Sequence, residues 1–182
     1  LTARALGYDA IGIADANSMA GVVRVHTEAK TLKLRPLIGC RIETVEGFAF
    51  LAYPTDRDAY GRLCRLISAG RMGTLDGGWQ AKGVCEISLS MLAAHAEGVQ
   101  LILLPPGDLD AEFTVEAESN VIEFPLPFRG GGQGVGDVRS GGYRPLSQPS
   151  PLKGRGLFTA PFTDILPRLA EQLPTLRHLA AS

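Results

Sequence analysis

Residues 7–41 constrain the fold of this chain more than any other segment, because they read as one complete strand–helix–strand unit. Residues 10–14, AIGIA, form an apolar run of strand length, and Asp15 follows directly at its carboxyl end. Residues 37–40, LIGC, are the next predicted strand. Because a helical crossover makes the two strands parallel, the residues that follow them meet at one edge of a sheet, where α/β proteins place their chemistry. The segment therefore predicts an α/β fold with an acidic side chain at its functional edge.

The helix of this unit carries its own boundary signals. Asn17 or Ser18 is the expected N-cap, because a short side-chain oxygen accepts hydrogen bonds from the free N–H groups of a first turn. Apolar positions recur from Gly21 to Leu32. Pro36 is expected to mark the end of the helix.

Strands and helices continue to alternate along the rest of the chain. The predicted strands cover residues 41–45, 48–53, 100–104 and 176–180, and the predicted helices start at Thr55 or Asp56, at Ser88 or Ser90, and at Thr163. Residues 70–83 are a glycine-rich loop that contains Trp79, the only tryptophan. The alternation predicts an α/β domain with a largely parallel sheet.

Size and composition fit one soluble globular domain: 182 residues, of which 45% are hydrophobic and 20% charged. The net charge of −1 lacks the basic surplus of proteins that bind DNA by counterion release. Cys40, Cys64 and Cys85 are isolated, which indicates a reducing compartment rather than a disulfide framework. No apolar run approaches the roughly 20 residues needed to cross a bilayer. We therefore expect a cytoplasmic location and no membrane contact.

The first residue is Leu rather than Met, and residues 1–6 already carry a helical pattern. We therefore expect the chain to be a fragment whose preceding strand is missing.

Four segments resemble the PHP (polymerase and histidinol phosphatase) domain at the N-terminus of bacterial C-family DNA polymerases, and the error-prone, damage-tolerant branch above all. They are residues 7–41, 48–71, 87–110 and 166–182. The run AYPTDRDAYGRLCRL at residues 52–66 is the most specific part. The resemblance implies an irregular seven-stranded βα barrel of the TIM-like PHP type, incomplete at its N-terminus.

The resemblance also implies where a metal site would lie. PHP domains build a three-metal cluster from histidines and carboxylates at the barrel mouth, and the metals activate water for phosphoester cleavage. The Thr-Asp-His motif of the family corresponds to residues 14–16, in which Asp15 is kept and Ala16 replaces the ligand histidine. The Gly-x-Glu motif corresponds to residues 39–41, in which Arg41 replaces the bridging glutamate.

One remaining carboxylate is too few for a zinc site, which needs at least three protein ligands. We therefore expect Asp15 to be the vestige of a degenerate metal site, and this chain to bind no cofactor. We further expect Asp15 to form a salt bridge with Arg41, because both are predicted at the same end of adjacent strands.

The other reactive side chains favour structural interpretations, so no catalytic residue is predicted. The histidines are His26, His95 and His178, and none pairs with another His or Cys at ligand spacing. His26 and His95 are expected on the surface or in packing, whereas His178 lies near a strand end and is the one candidate for the barrel mouth. Cys40 is expected to be a small buried hydrophobe rather than a nucleophile. Asp108 and Asp110 follow Pro-Pro-Gly and are expected to be turn and cap residues rather than a carboxylate pair.

Residues 125–161 break the α/β pattern with nine glycines and six prolines in 37 residues. PLPFRGGG at 125–132 returns as PSPLKGRG at 149–156. A proline-rich ligand and a phosphate-binding loop are alternatives, although Gly154 is not followed by the Lys-Ser or Lys-Thr of a P-loop. We expect an inserted repeat that is disordered and dispensable, because such a composition buries too little apolar surface to offset its ordering entropy. The predicted organisation is a first part of the PHP domain at 1–124, the insertion at 125–161, and the continued PHP domain at 162–182.

Three functions remain open. The leading hypothesis is a partial PHP domain with a structural role in an error-prone DNA polymerase that acts in damage-induced translesion synthesis. Its partners would be the remainder of the polymerase chain and, through it, DNA; the Mg²⁺-dependent nucleotidyl transfer would take place in a palm domain outside this chain. The alternatives are a free-standing PHP-type metal-dependent phosphoesterase and a non-functional gene fragment.

Overall fold

A computed structural model describes residues 1–116 and 157–180. The helices are α1 (Thr2–Ala5), α2 (Val22–Thr31), α3 (Arg57–Met72), α4 (Leu89–His95) and α5 (Phe162–Gln172). The strands are β1 (Ala10–Ala16), β2 (Arg35–Glu43), β3 (Ala49–Pro54), β4 (Val99–Leu104), β5 (Glu112–Glu116), β6 (Leu157–Pro161) and β7 (Leu176–Leu179).

The main sheet has five strands in the order β1-β2-β3-β4-β7, and β5 pairs with β6 in a separate two-stranded sheet. The predicted α/β class is confirmed. Within residues 1–116 and 157–180 the strands do not form a single seven-stranded barrel, because the main sheet is open, with β1 and β7 at its edges.

The prediction of a largely parallel sheet needs one correction. β1 is parallel to β2 and β4 to β7, whereas β3 is antiparallel to both of its neighbours. The pairing of β2 with β3 follows from the short connection between them, in which the Gly47 N–H donates to the Thr44 carbonyl at 3.0 Å. A parallel crossover needs a dozen or more residues, so a tight turn allows only the antiparallel pairing.

The helices pack on one face of the main sheet. Alternate strand residues such as Ile42, Phe50 and Leu101 are buried in one core with Leu63 and Leu66 of α3. The residues between them point to the opposite face and are partly or fully exposed, as at Arg41, Leu51 and Ile102. The domain is thus two-layered, with one covered and one open sheet face.

Two helices begin where their polar residues predict. Asp56 Oδ1 accepts from the Ala59 N–H at 2.7 Å at the start of α3. Ser88 Oγ accepts from the Met91 N–H at 3.2 Å at the start of α4. Both side chains are therefore confirmed as N-caps.

Two predictions for the first strand–helix–strand unit are wrong. The N-cap of α2 is Gly21 rather than Asn17 or Ser18, because the Asn17 side chain bonds to β2 instead. Pro36 lies inside β2, and the two strands predicted at 37–40 and 41–45 are one strand. Proline is tolerated there because β3 pairs only with residues 40–43 of β2, so no partner on that side needs the missing N–H.

Residues 157–161 were predicted to belong to a disordered insertion, and for these five residues the prediction is wrong. They form β6, whose register with β5 runs from Glu112↔Pro161 to Glu116↔Leu157. Ala160 and Val115 are buried in the same core as the main sheet. The pairing partner lies more than 40 residues away, so local composition does not indicate the strand. The rest of the predicted insertion, 125–156, lies outside the described residues.

Candidate functional site

The carboxyl ends of β1 and β2 meet at one edge of the main sheet, and they bring together the two ligand positions that the resemblance implies. Ala16 and Arg41 are Cα partners in the parallel register. Residues in register on neighbouring strands share a sheet face, so both side chains lie on the open face. A methyl group and a guanidinium group thus stand where the resemblance places a histidine and a glutamate.

The Arg41 guanidinium is paired with a carboxylate of its own strand. Its Nη2 lies 2.9 Å from Glu43 Oε1, and the two side chains are 46% and 47% exposed. Residues two apart in a strand share a face, which is why this pair forms.

The predicted salt bridge between Asp15 and Arg41 is wrong. Asp15 is the Cα partner of Cys40, one position before Arg41. Successive strand side chains point to opposite faces, so this single step directs the Asp15 and Arg41 side chains to different sides of the sheet.

Asp15 instead serves the start of α2. Its Oδ2 accepts from the Gly21 N–H at 2.7 Å, and a carboxylate is favoured there by the positive end of the helix dipole. A Cβ added at Gly21 would lie 2.6 Å from the same oxygen. The acidic residue therefore caps the helix from the preceding strand, and Gly21 makes the close approach possible.

Asn17 joins three elements at this edge, a role that the cap prediction missed. Its Oδ1 accepts from the Glu43 N–H at 3.0 Å and its Nδ2 donates to the Glu43 carbonyl at 3.2 Å, so the side chain extends the β1–β2 pairing. Nε and Nη2 of Arg71, at the end of α3, both donate to the Asn17 carbonyl, at 3.2 and 2.9 Å. The backbone of Asn17 is left-handed, with φ 42°, which asparagine tolerates better than most residues.

Cys40 is fully buried, as predicted for a small hydrophobe. Its thiol donates to the Asp15 carbonyl at 3.2 Å, and burial raises its pKa to about 11. The thiol therefore stays protonated at neutral pH, which removes it as a nucleophile because the thiolate is the reactive form.

The three histidines are dispersed over α2, α4 and β7. His26 is exposed, and His95 Nδ1 lies 2.9 Å from the Met91 carbonyl oxygen, which gives it the packing role predicted. His178 is exposed on β7, opposite Ile102. Within the described residues, no group of three His, Cys, Asp or Glu side chains is placed to hold a metal ion.

Beside Arg41 lies a cavity of about 400 Å³, between the start of β3 and residues 104–107 at and after the end of β4. Its walls include Phe48, Phe113 and Phe162, of which the first two rings stack at 4.7 Å. Nearby, Asp108 Oδ1 accepts from the Asp110 N–H at 3.0 Å, which confirms the predicted turn role of these carboxylates.

Comparison with known proteins identifies the family. The family model of the PHP domain matches residues 1–122, and the chain belongs to that family. The error-prone DNA polymerase of Caulobacter vibrioides is 45% identical over 114 residues, which cover 62% of this chain and 10% of that protein. The error-prone DNA polymerase of Rhodopseudomonas palustris is 46% identical over 106 residues, which cover 56% of this chain and 9% of that protein. This chain thus spans about a tenth of the length of the curated relatives that it matches.

Among solved structures, a protein from Bifidobacterium adolescentis described as a metal-dependent phosphoesterase matches with a TM-score of 0.43 and 17% identity. The match covers 59% of this chain and 60% of that one. Separately, no helix in the described part of the chain is both long and apolar enough to span a membrane.

Proposed function

We propose that this chain is a structural PHP domain of an error-prone C-family DNA polymerase that acts in translesion synthesis, with a degenerate metal site. The observation that carries the proposal is the register pair of Ala16 and Arg41 on the open sheet face. The similarity to error-prone polymerases supplies the parent protein.

The side chains at this edge do not fit a divalent cation. Ala16 offers no ligand atom, and the Asp15 carboxylate already accepts from the Gly21 N–H. A guanidinium about 4 Å from a divalent ion would repel it by about 8 kcal/mol at an effective dielectric constant of 20. Glu43, the nearest carboxylate to Arg41, is engaged in the ion pair. No hydrolytic step is therefore assigned to this chain.

The proposed role is to support the polymerase body. Nucleotidyl transfer in such an enzyme requires Mg²⁺ held by carboxylates of a palm domain. That domain would lie in the nine tenths of the polymerase that these 182 residues do not cover. The domain contributes a rigid core, and its DNA contacts would be made through the parent enzyme.

We also propose that the open sheet face becomes the interior of the PHP barrel in the whole polymerase. Gly12 and Gly39 support this arrangement, because the Tyr53 ring lies directly over both positions on that face. The barrel would be closed by strands that pair with the edges of β1 and β7, which have no further partner strand within residues 1–116 and 157–180.

The direct test is a hydrolysis assay on the purified chain with Mn²⁺ or Zn²⁺, using p-nitrophenyl phosphate and a single-stranded oligonucleotide. We expect both activities at background in the natural chain. The variant Ala16→His/Arg41→Glu, which restores both ligand types, is assayed beside the natural chain as a matched control. A difference in hydrolysis between the two proteins is then due to these two positions. Metal-dependent turnover by the natural chain would contradict the structural role and favour the phosphoesterase alternative.

The polymerase assignment has a separate test in the gene. An in-frame palm domain encoded downstream of Ser182 is the expected result. A stop codon directly after Ser182 would contradict it and leave a non-functional gene fragment.

A further inference from the structure

The connection between α3 and α4 carries a concentration of exposed apolar side chains. We call residues 73–84, together with Met72 at the end of α3, the Trp79 loop. Trp79 is 87% exposed, and three other apolar residues of the same connection are exposed to a large extent as well: Met72 60%, Leu75 50% and Val84 43%. Single exposed apolar residues are ordinary on protein surfaces, whereas a concentration of them in one segment is typical of an interaction site.

The loop is held by many hydrogen bonds. Thr74 and Gly78 are joined by two hydrogen bonds: the Thr74 N–H donates to the Gly78 carbonyl at 3.0 Å, and the Gly78 N–H donates to Thr74 Oγ1 at 2.8 Å. The Thr74 hydroxyl also donates to the Asp76 carboxylate, which lowers the pKa of that carboxyl. The turn is therefore ordered before any partner arrives, and little conformational entropy remains to be lost on binding.

The surroundings of Trp79 leave its ring uncovered. Its partner in an antiparallel bridge is Gly73, and the residues before it are Gly77 and Gly78. Gly77 has a φ of +88°, a backbone conformation that residues other than glycine rarely adopt. Because glycine has no side chain, neither the opposite strand nor the turn shields the indole. Tryptophan is enriched among the residues that dominate binding energies.

Both ends of the loop are fixed to the edge that carries Ala16 and Arg41. At its start, Arg71 donates twice to the Asn17 carbonyl. At its end, the Ile87 carbonyl accepts from the Val45 N–H at 2.9 Å, in the connection between β2 and β3. A partner bound at Trp79 would thus contact a loop that is attached to the sheet edge carrying Ala16 and Arg41.

We propose that the Trp79 loop is the surface by which this domain docks onto another domain of the same polymerase chain. The inference rests on the proposed function and names the contact through which the structural role is exerted. Its occupant follows from size: the chain spans about a tenth of its curated relatives, so most of such a polymerase lies outside it.

An intramolecular partner also fits the small extent of the patch. A stable contact between separate proteins buries about 800 Å² on each side, whereas this loop offers four exposed large apolar side chains. Domains of one chain face each other at effective concentrations in the millimolar range, so a small patch around one aromatic anchor is sufficient.

Nucleic acid is a poorer match for the loop. Lys82 is balanced by Asp76 and Glu86, and the Arg71 guanidinium is engaged with the Asn17 carbonyl. Surfaces that bind nucleic acid carry a clear basic excess.

The test measures the solvent exposure of Trp79 by ¹⁹F NMR of protein labelled with 5-fluorotryptophan. The 182-residue chain gives one signal because Trp79 is its only tryptophan, and that signal should show the full shift between H₂O and D₂O. In the full polymerase without DNA, the signal that disappears in the Trp79→Phe variant should have lost most of that shift. A matched control is Leu109→Trp in the Trp79→Phe background, since Leu109 is also exposed but lies elsewhere; its signal should stay exposed in both proteins.

Three results would overturn the docking proposal. The first is a Trp79 signal that stays exposed in the full polymerase. The second is a signal covered only after a single-stranded oligonucleotide is added, which would assign the loop to nucleic acid. The third is a signal in the 182-residue chain that becomes covered with rising protein concentration, which would assign it to a second copy.

Primer extension by the same polymerase preparation separates the two proposals. Extension with an exposed Trp79 rejects the docking surface alone. Absence of extension under all metal conditions rejects the proposed function, whatever the exposure of Trp79.

Discussion

At the scale of single residues, Asp15 has a structural role at the start of α2. Its carboxylate accepts from the Gly21 N–H and neutralises the start of α2. The position that the resemblance assigns to a metal ligand thus has a structural interaction in this chain.

Replacing Asp15 should reveal that role in stability. We expect Asp15→Ala to lower the free energy of unfolding by about 1 kcal/mol, the usual cost of losing a helix cap. Asp15→Asn keeps an acceptor oxygen and should lose clearly less. Urea unfolding followed by circular dichroism measures both; equal losses for the two variants would contradict the capping role.

Cys40 links burial to the pH dependence of stability. Burial raises the pKa of the folded thiol to about 11, above the value of about 8.5 of a free thiol. The folded state disfavours the thiolate. The contribution of the buried Cys40 thiol to the free energy of unfolding is therefore fully present below about pH 8.5, and it is lost as the pH rises towards 11.

The free energy of unfolding should therefore fall between pH 9 and pH 11. Burial also raises the pKa values of Tyr53 and Cys85, so Cys40→Ala should reduce the slope without abolishing it. Urea titrations at pH 8, 9, 10 and 11 give the slope directly. An identical slope in Cys40→Ala would show that the thiol is not protected in the folded state.

At the scale of elements, glycines on the open face set how closely Tyr53 approaches the sheet. A Cβ added at Gly12 would meet the Tyr53 hydroxyl oxygen at 2.7 Å, with the next ring atom at 3.4 Å. At Gly39 it would meet Tyr53 Cδ1 at 2.5 Å and the Ala52 carbonyl oxygen at 2.8 Å. The first clash involves one atom of a side chain, whereas the second also involves the backbone.

The two glycines should therefore respond differently to a second substitution. We expect Gly12→Ala to destabilise by about 1–2 kcal/mol and Gly39→Ala by about 2–3 kcal/mol, in the range of overpacked sites. Tyr53→Phe removes the hydroxyl and should rescue most of the loss at Gly12 but little at Gly39. A double-mutant cycle from thermal unfolding measures the coupling; equal rescue at both positions would contradict the packing described.

Elements with local signals were predictable from the sequence, and elements with distant partners were not. Asp56 and Ser88 predict the starts of their helices because an N-cap side chain accepts a hydrogen bond from the N–H three residues further along the chain. β6 gives no such signal, since its partner β5 lies on the other side of residues 117–156. At the site, the pairing of Ala16 with Arg41 follows from aligned strands, whereas the Asp15 contact depended on which face each side chain takes.

At the scale of the whole molecule, residues on both sides of 117–156 contribute to one core. Val115 precedes this segment, and Ala160, Phe162 and Ile165 follow it; all are buried in the cluster that includes the main sheet. The boundary of any dispensable segment must therefore lie before β6.

Two deletions separate the corrected boundary from the predicted one. Removing residues 125–156 keeps β6 and should change the free energy of unfolding by less than about 1 kcal/mol, because loop closure depends weakly on length. Removing residues 125–161 takes away β6 with the buried Ala160 and should destabilise by several kcal/mol or prevent folding. Chemical denaturation of both variants is the measurement; equal stability would contradict the contribution of β6.

We infer that the edge formed by Ala16 and Arg41 belongs to a PHP domain that has lost its metal site. Isothermal titration calorimetry of the purified chain with Mn²⁺ and with Zn²⁺ tests it most directly, with Ala16→His/Arg41→Glu titrated in parallel. We expect no saturable heat for the natural chain with either metal. Stoichiometric binding with micromolar affinity, abolished by Asp15→Ala, would contradict it.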